Sequence, residues 1–148
     1  MDERLIQELI TRALAQRTLA YAPYSHFMVG AALLAKNGSI YTGCNIENAA
    51  FTPTNCAERT AIFKAVSEGV RDFAAIAIVG GRADNEDPAT GGVTEYTAPC
   101  GVCRQVMCEF CVPETFLVIL AKNAQDYRLY TLAELLPECF GLQSEGAK

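Results

Sequence analysis

Two stretches decide the fold, Cys56-Ala-Glu58 and Pro99-Cys-Gly-Val-Cys103, because each of them opens a predicted helix. The first helix is predicted over Cys56–Glu68 and the second over Cys100–Cys111. Unpaired amides and the dipole at a helix start favour negative charge, and therefore favour thiolates. The Cys-x-x-Cys spacing also directs two sulfur atoms at one point. The sequence thus predicts a group of three thiolates carried by two helix starts.

Hydrophobic periodicity and turn residues predict the elements outside these helices. Asn37-Gly38 between two apolar runs indicates a β-hairpin. The further elements are a helix over 2–19, strands over Phe27–Ala35, Ser39–Cys44, Phe73–Val79, Thr115–Ala121 and Tyr127–Tyr130, a short helix at the capping box Thr131-Leu-Ala-Glu134, and loops over Gly43–Asn55 and Gly80–Ala98. This order predicts one α/β domain over 1–148, a three-layer α/β/α sandwich around a mixed five-stranded sheet.

The composition narrows the classes of function. The 148 residues carry a formal net charge of -5, which weighs against binding a nucleic-acid polymer, since phosphate contacts dominate such affinity. The first residues are acidic where a signal peptide is basic, and the apolar runs are far shorter than the roughly 20 residues of a membrane span. We therefore expect a cytoplasmic protein with reduced thiols and no membrane partner. Seven cysteines, an odd number, cannot all pair in disulfides.

The cysteine motifs predict a catalytic metal site. Three protein ligands leave zinc one open coordination position, as in catalytic rather than structural sites. Glu58 would act as the base, because zinc lowers the pKa of water and a nearby carboxylate carries the proton onward. Arg59, three residues after Cys56, would offset the excess negative charge of the thiolates. The alternative is that Cys56 packs in the core and the Cys-x-x-Cys motif is redox-active or incidental.

Cys-x-Glu followed by Pro-Cys-x-x-Cys is the three-cysteine form of the zinc deaminase signature. Beyond this signature, the chain resembles the small homotetrameric cytidine deaminases over nearly its whole length. The matching stretches are Ala22-Pro-Tyr-Ser25, Phe27-Met-Val-Gly-Ala-Ala32, Asn45-Ile-Glu-Asn-Ala49, Thr54-Asn-Cys-Ala-Glu-Arg59, Ala98-Pro-Cys-Gly-Val-Cys-Arg-Gln105, Leu135-Leu-Pro137 and Phe140-Gly141. The resemblance implies one zinc ion per subunit on Cys56, Cys100 and Cys103, with Glu58 as the proton shuttle.

The resemblance also implies a nucleoside site. Asn45 and Glu47 would bind the ribose hydroxyls, and Phe27 would pack on the pyrimidine. Ala57 would contribute to the substrate site, and Phe140 would pack on the pyrimidine from a neighbouring subunit of the homotetramer. Amides and carboxylates suit sugar hydroxyls, and aromatic faces stack on bases, so the residue types agree with these roles. From the residues alone, Asn45 and Glu47 are equally consistent with loop capping.

The implied reaction is hydrolytic deamination of cytidine and 2'-deoxycytidine to the uridine products and ammonia, a step of pyrimidine salvage. Deaminases of blasticidin type share the zinc motifs, and Asn45-Ile-Glu47 favours a plain nucleoside over such analogues. Polynucleotide editing is disfavoured by the net negative charge and by Cys56 in place of a histidine ligand. A structural zinc or redox module without enzyme activity is a further alternative.

A second Cys-x-x-Cys motif, Cys108-Glu-Phe-Cys111, introduces the alternative of a four-cysteine zinc or iron–sulfur site. The apolar residues around it predict one continuous helix, on which Cys103 and Cys108 point roughly 140° apart. One metal cannot gather four such positions. We therefore expect core or half-buried thiols at Cys44, Cys108, Cys111 and Cys139.

Overall fold

The computed structural model describes residues 1–142, which form four α-helices and five strands. The helices are α1 (Glu3–Arg17), α2 (Ala57–Ser67), α3 (Gly101–Phe110) and the short α4 (Leu132–Leu135). The strands are β1 (Phe27–Ala35), β2 (Ile40–Cys44), β3 (Phe73–Arg82), β4 (Leu117–Asn123) and β5 (Asp126–Thr131). Within this described part, no helix combines the length and the apolar character that crossing a lipid bilayer demands.

One mixed sheet, with the strand order β2-β1-β3-β4-β5, forms the middle layer. The pairs β1–β2, β1–β3 and β4–β5 are antiparallel, whereas β3 and β4 run parallel. The predicted hairpin joins β1 to β2, and Gly38 supplies the φ of 91° that its turn requires. Because a parallel pair needs a long crossover, α3 lies in the connection between β3 and β4.

Alternate residues of the central strands face two separate apolar cores. On one face, Leu9 and Ile10 of α1 pack with Ala32 and Ala77 of the sheet. On the opposite face, α2 and α3 cover a second core, whose buried members include Leu33, Ile62, Ile76, Met107 and Val118. Helices on both faces of a mixed five-stranded sheet confirm the predicted three-layer α/β/α sandwich.

Strand β3 is three residues longer than predicted, so the prediction of a loop that begins at Gly80 is wrong. Residues 80–82 continue the antiparallel ladder with residues 27–29 of β1. A Cβ on Gly80 would lie 2.8 Å from Oγ1 of Thr97, so glycine is required there by a close approach rather than by a turn. The connection to α3 starts only at Ala83–Asn85, a short 3-10 turn.

Four cysteines lie in or beside the core, as the sequence predicts. Cys44, Cys108 and Cys111 are buried, and Cys139 is half-buried. Cys108 and Cys111 belong to the apolar core that α2 and α3 cover, and burial raises the pKa of Cys111 to about 12. Buried thiols of this kind act as small apolar side chains.

Candidate active site

The amino ends of α2 and α3 meet at one edge of the sheet. Cys56 immediately precedes α2 and Cys100 immediately precedes α3, which carries Cys103 in its first turn. Helix α2 contacts β2 directly at Gly43, where a Cβ would lie 2.5 Å from the carbonyl oxygen of Ala57. Only glycine fits at that point, so the backbone of β2 sets the position of the helix start that carries Cys56.

The three sulfur atoms form one compact group. The Sγ of Cys100 lies 3.8 Å from that of Cys56 and 3.5 Å from that of Cys103, and all three lie within 4.8 Å of one another. Tetrahedral zinc with Zn–S bonds of about 2.3 Å holds its sulfur ligands about 3.8 Å apart. The donor set and its spacing therefore fit a zinc ion with three protein ligands and an open fourth position.

A guanidinium group lies against these thiols. Nη2 of Arg59 donates a hydrogen bond of 3.3 Å to Sγ of Cys56. Nε of Arg59 is buried and has no hydrogen-bond partner within residues 1–142. Because the guanidinium charge is permanent, Arg59 favours the deprotonated form of the sulfur group, which is the form that binds metal.

Hydrogen bonds within the sulfur group shift the pKa values of Cys56 and Cys103 in opposite directions. Bonds from Cys103, Arg59 and Cys100 lower the pKa of Cys56 to about 5, although burial opposes the shift. The hydrogen bond to Cys56, together with burial, raises the pKa of Cys103, which is fully buried. Metal binding to thiolates displaces such protons, so we expect proton release when the site is loaded.

Glu58 lies in the first turn of α2, two residues after Cys56, and only 4% of it is exposed. Burial, followed by the nearby charge of Cys56, raises the pKa of Glu58 to about 7. A carboxyl group with a pKa near neutrality is suited to both accepting and donating a proton at neutral pH.

A cavity of about 280 Å³ opens beside the sulfur group. It is lined from the two helix starts, the beginning of β1, and the segments that precede α2 and follow β2. The lining residues are Ser25, Phe27, Val29, Asn45, Glu47, Thr54, Asn55, Cys56, Ala57, Glu58, Thr97, Ala98 and Cys100. Every predicted site residue except Phe140 therefore borders this cavity or contacts its sulfur group.

Asn45 and Glu47 hold the segment that leads into β1. Oδ1 of Asn45 accepts a 2.8 Å hydrogen bond from the amide of Val29, and its Nδ2 donates a 2.7 Å bond to the carbonyl of Phe27. The carboxylate of Glu47 accepts hydrogen bonds from residues 24–25. Loop capping is thus part of what both residues do. Each also keeps capacity for a ligand, since the amide has a second hydrogen and the carboxylate a further lone pair.

Residues 3–119 match the family model described as "Cytidine and deoxycytidylate deaminase zinc-binding region". The chain belongs to the cytidine deaminase family. The cytidine deaminase of Sporosarcina psychrophila is 51% identical over 135 residues, which are 91% of this chain and 90% of that protein. The cytidine deaminase of Halalkalibacterium halodurans is 52% identical over 134 residues, 90% of this chain and 92% of that protein.

The solved structures agree with this family membership. The crystal structure of cytidine deaminase from Burkholderia pseudomallei superimposes with a TM-score of 0.75 at 48% identity, covering 90% of this chain and 97% of that one. A blasticidin-S deaminase from Bacillus cereus is more distant, at 34% identity over 130 residues and 88% of each chain. Zinc is the metal for which the family region is named, and the sulfur atoms of Cys56, Cys100 and Cys103 form a group that could hold it.

Phe140 stands apart from the cavity of its own chain. Its side chain is 68% exposed, and its carbonyl oxygen accepts a 3.0 Å hydrogen bond from Nε2 of Gln105. It is not among the lining residues. Stacking on a base would therefore require that the ring enter the cavity of a neighbouring subunit, and this role stays a prediction.

Ser25, Thr54 and Thr97 line the cavity although the sequence did not single them out as site residues. Ser25 and Thr54 lie within stretches that match the cytidine deaminases, and Ser25 also stands two residues before Phe27, but neither observation assigns them a role. Thr97 donates a 3.0 Å hydrogen bond to the carbonyl of Gly80. That contact depends on how the segment before α3 folds back on β3, which no local pattern reveals.

Proposed function

We propose that this chain is a zinc-dependent cytidine deaminase, which hydrolyses cytidine and 2'-deoxycytidine to uridine and 2'-deoxyuridine with release of ammonia. The observation that carries the proposal is the group of three cysteine sulfurs within 4.8 Å of one another, beside the buried Glu58 and one cavity. The names of two relatives that share about half of their residues with this chain support the choice of substrate.

We propose Cys56, Cys100 and Cys103 as the ligands of one zinc ion per subunit. When bound in such a site, zinc supplies a water of lowered pKa and a positive charge next to the reacting carbon. Three thiolates leave one excess negative charge on a divalent cation, which would weaken that effect. Arg59, hydrogen-bonded to Cys56, offsets the excess.

We propose that Glu58 moves the protons of the reaction. Its carboxylate accepts a proton from the attacking water and delivers it to N3 of the pyrimidine, while the water oxygen forms a bond to C4. Glu58 then carries the second proton from that oxygen to the amino group, which leaves as ammonia. C4 becomes the carbonyl carbon of the uridine product. The buried position of Glu58 limits exchange of these protons with bulk water.

The remaining cavity residues would bind the nucleoside. Phe27 is 38% exposed and borders the cavity, where its ring would stack on the pyrimidine. Ala57 presents a small side chain next to Glu58 and would lie against the base. Asn45 and Glu47 would bind the sugar hydroxyls with the amide hydrogen and the carboxylate lone pair that loop capping leaves unused.

The replacement Glu58→Gln tests the proposal, because glutamine keeps the size of the side chain and removes the titratable proton. We expect the turnover of cytidine to fall by about 10²- to 10⁴-fold, the usual contribution of a positioned acid–base group. Zinc content should stay at one ion per chain. Near-wild-type turnover with zinc bound would overturn the assignment.

Glu68→Gln is the matched control, because Glu68 stands exposed at the opposite end of α2 and does not line the cavity. We expect this variant to keep the zinc content and the turnover of the unmodified protein. A similar loss in both variants would point to damage of α2 rather than to proton transfer.

A deaminase of a related aminated pyrimidine or nucleoside analogue is the second candidate, which the blasticidin-S deaminase relative favours. Assay of zinc-loaded protein on cytidine, 2'-deoxycytidine and blasticidin S separates the two. Preferential turnover of blasticidin S would change the proposed substrate and would leave the proposed role of Glu58 unchanged. A structural zinc module would turn over none of the three.

We propose that the enzyme is a homotetramer whose subunits share active sites. Exposed apolar side chains support an interface, since Phe51 is 96% exposed and Phe140 is 68% exposed. A second cavity of about 310 Å³, bordered by Phe51, shares Ser25, Glu47 and Thr54 with the first. A neighbouring subunit docked there would border the nucleoside site. An active monomer by mass measurement in solution would contradict this part alone.

We also propose a single domain over 1–148 that acts in the cytoplasm, in pyrimidine salvage. The single sheet, shared by both apolar cores, supports one domain, while residues 143–148 lie outside the described residues. Three thiolate ligands need a reducing environment such as the cytosol, where structural disulfides are rare.

A further inference from the structure

The carboxylate of Glu47 is held by the segment that precedes Phe27. Oε1 accepts hydrogen bonds from the backbone amides of Tyr24, at 2.9 Å, and Ser25, at 3.1 Å. Oε2 accepts a hydrogen bond from the hydroxyl of Ser25. Three of the roughly four acceptor positions of a carboxylate are therefore taken by two consecutive residues.

The hydroxyl of Ser25 also reaches Phe27. Its Oγ accepts a 3.0 Å hydrogen bond from the backbone amide of Phe27, so its only proton is left for the carboxylate of Glu47. Between the two residues, His26 adopts a positive φ of 58°, which turns the chain so that this bond can form. One hydroxyl thus connects the residue proposed to stack on the base with the carboxylate proposed to bind the sugar.

These contacts keep Glu47 ionised and oriented. The hydrogen bond from Ser25 is the largest cause that lowers the pKa of Glu47, and the two backbone amides act in the same direction. An ionised carboxylate with one free acceptor position can accept a hydrogen bond from a sugar hydroxyl without first shedding other partners. Without the Ser25 hydroxyl, Oε2 would lose its one hydrogen bond from the segment.

We propose that Ser25 is a positioning residue, which fixes the carboxylate of Glu47 as the acceptor of a sugar hydroxyl and so contributes to selection for nucleosides with an intact sugar. The inference rests on the proposed function, because it assumes a nucleoside in the cavity. It adds a residue to which the sequence assigned no role and a property, sugar selectivity, that the zinc group does not determine.

The test compares cytidine with 2',3'-dideoxycytidine, which keeps the base and lacks both ring hydroxyls, in the unmodified protein and in Ser25→Ala. We expect kcat/KM for cytidine to fall roughly tenfold, mainly through KM, because a hydrogen bond to a charged group is lost. For 2',3'-dideoxycytidine, kcat/KM should stay nearly unchanged. An equal loss on both substrates would overturn the proposal, since it would show a general disturbance of the site.

Further variants separate positioning from folding. Ser25→Thr keeps the hydroxyl and should restore most of the selectivity for cytidine, and Ser25→Ala added to Glu47→Gln should cause little loss beyond Glu47→Gln alone. Ser67→Ala is the matched control, because the hydroxyl of Ser67 is hydrogen-bonded to the carbonyl of Lys64 on α2, outside the cavity. Fully additive losses in the double variant would contradict action through Glu47.

Inhibition by products keeps the proposal testable where dideoxycytidine turns over too slowly. Ser25→Ala should weaken inhibition by uridine and leave inhibition by 2',3'-dideoxyuridine unchanged, whereas equal weakening would refute the role. Failure of the proposed function is recognised separately, because the unmodified protein would then turn over no cytidine and Glu58→Gln would change nothing.

Discussion

Two walls of the same cavity are built in different ways. The cysteine wall consists of Cys56, Glu58 and Cys100, which line the cavity, together with Cys103 of the sulfur group, all at the starts of α2 and α3. The second wall is called the sugar wall after the role proposed for it, and consists of Ser25, Phe27, Val29, Asn45 and Glu47, with hydrogen bonds between side chains and backbone. Cys103 and Glu58 are buried, whereas Glu47 and Phe27 are at least partly exposed.

The difference shows where the precision of each wall comes from. A helix start places its side chains through backbone geometry, so the spacing within each motif sets the sulfur positions relative to their own helix. Each polar group of the sugar wall is oriented by another polar group, so the loss of one affects its partners. We therefore expect all-or-none effects on metal content from the cysteine wall, and graded effects on KM from the sugar wall.

The largest effect is expected from Cys103→Ser. Cys103 is buried and is one of the three ligands proposed for zinc, so without its sulfur the metal should be lost and activity reduced by on the order of 10³-fold. Metal analysis after gel filtration measures the zinc content. Cys139→Ser, a half-buried cysteine outside the sulfur group, is the control and should retain zinc. One zinc ion per chain in Cys103→Ser would contradict the expectation that the cysteine wall alone decides the metal content.

An intermediate effect is expected from Asn45→Ala. The change leaves the amide of Val29 and the carbonyl of Phe27 without their partner and removes a contact proposed for the sugar. We expect KM for cytidine to rise roughly tenfold, with unchanged zinc content and a lower midpoint of thermal unfolding.

Asn37→Ala is the matched control for Asn45, because Oδ1 of Asn37 also accepts a backbone hydrogen bond, from Ser39 in the hairpin turn. It should lower stability without raising KM. If Asn45→Ala lost zinc instead, the two walls would not be independent.

The smallest effect on activity is expected from Arg59→Ala, because excess zinc in the assay compensates for a weaker affinity. Removing the guanidinium takes away the hydrogen bond from Arg59 to Cys56 and leaves the excess negative charge of the proposed zinc group without its offset, so zinc affinity should fall roughly tenfold. Competition with a chelator of known affinity measures the change. Arg71→Ala, an exposed arginine after α2, serves as the control. Unchanged affinity in Arg59→Ala would mean that the contact with Cys56 does not tune the metal.

The sequence predicts the cysteine wall better than the sugar wall for a physical reason. Cys56-Ala-Glu58 and the Cys-x-x-Cys motif are local, and helix geometry converts their spacing into position without tertiary information. The proximity of the two helix starts in space is not a local property. Only the deaminase signature, which contains both motifs, predicts it. Ser25 was missed because its hydrogen bond to Glu47 joins residues that are 22 positions apart along the chain.

The elements of the fold, like the site, are predicted well where the signal in the sequence is local. Strand and helix bounds are predicted within two residues wherever periodicity or a capping box marks the end, as at Thr131. The end of β3 is the exception. Gly80 and Gly81 look like chain breakers by composition, but pairing with β1 and the approach of Thr97 make them part of the strand. No pattern within ten residues contains that information.

Gly43 determines how closely α2 can approach β2, and therefore where the proposed catalytic groups lie. A methyl group there would meet the carbonyl of Ala57 at 2.5 Å, so α2 would have to retreat by about 1 Å to regain ordinary van der Waals contact. The nearest atoms are backbone atoms of Ala57 and Ala61 and the Cβ of Thr60, and no change of rotamer moves any of them. Cys56 and Glu58 would move with the helix, and an error of about 1 Å at a reacting centre can cost about 100-fold in rate. Gly43 lies outside the proposed metal and substrate contacts. Its close contact with α2 nevertheless fixes the positions of Cys56 and Glu58.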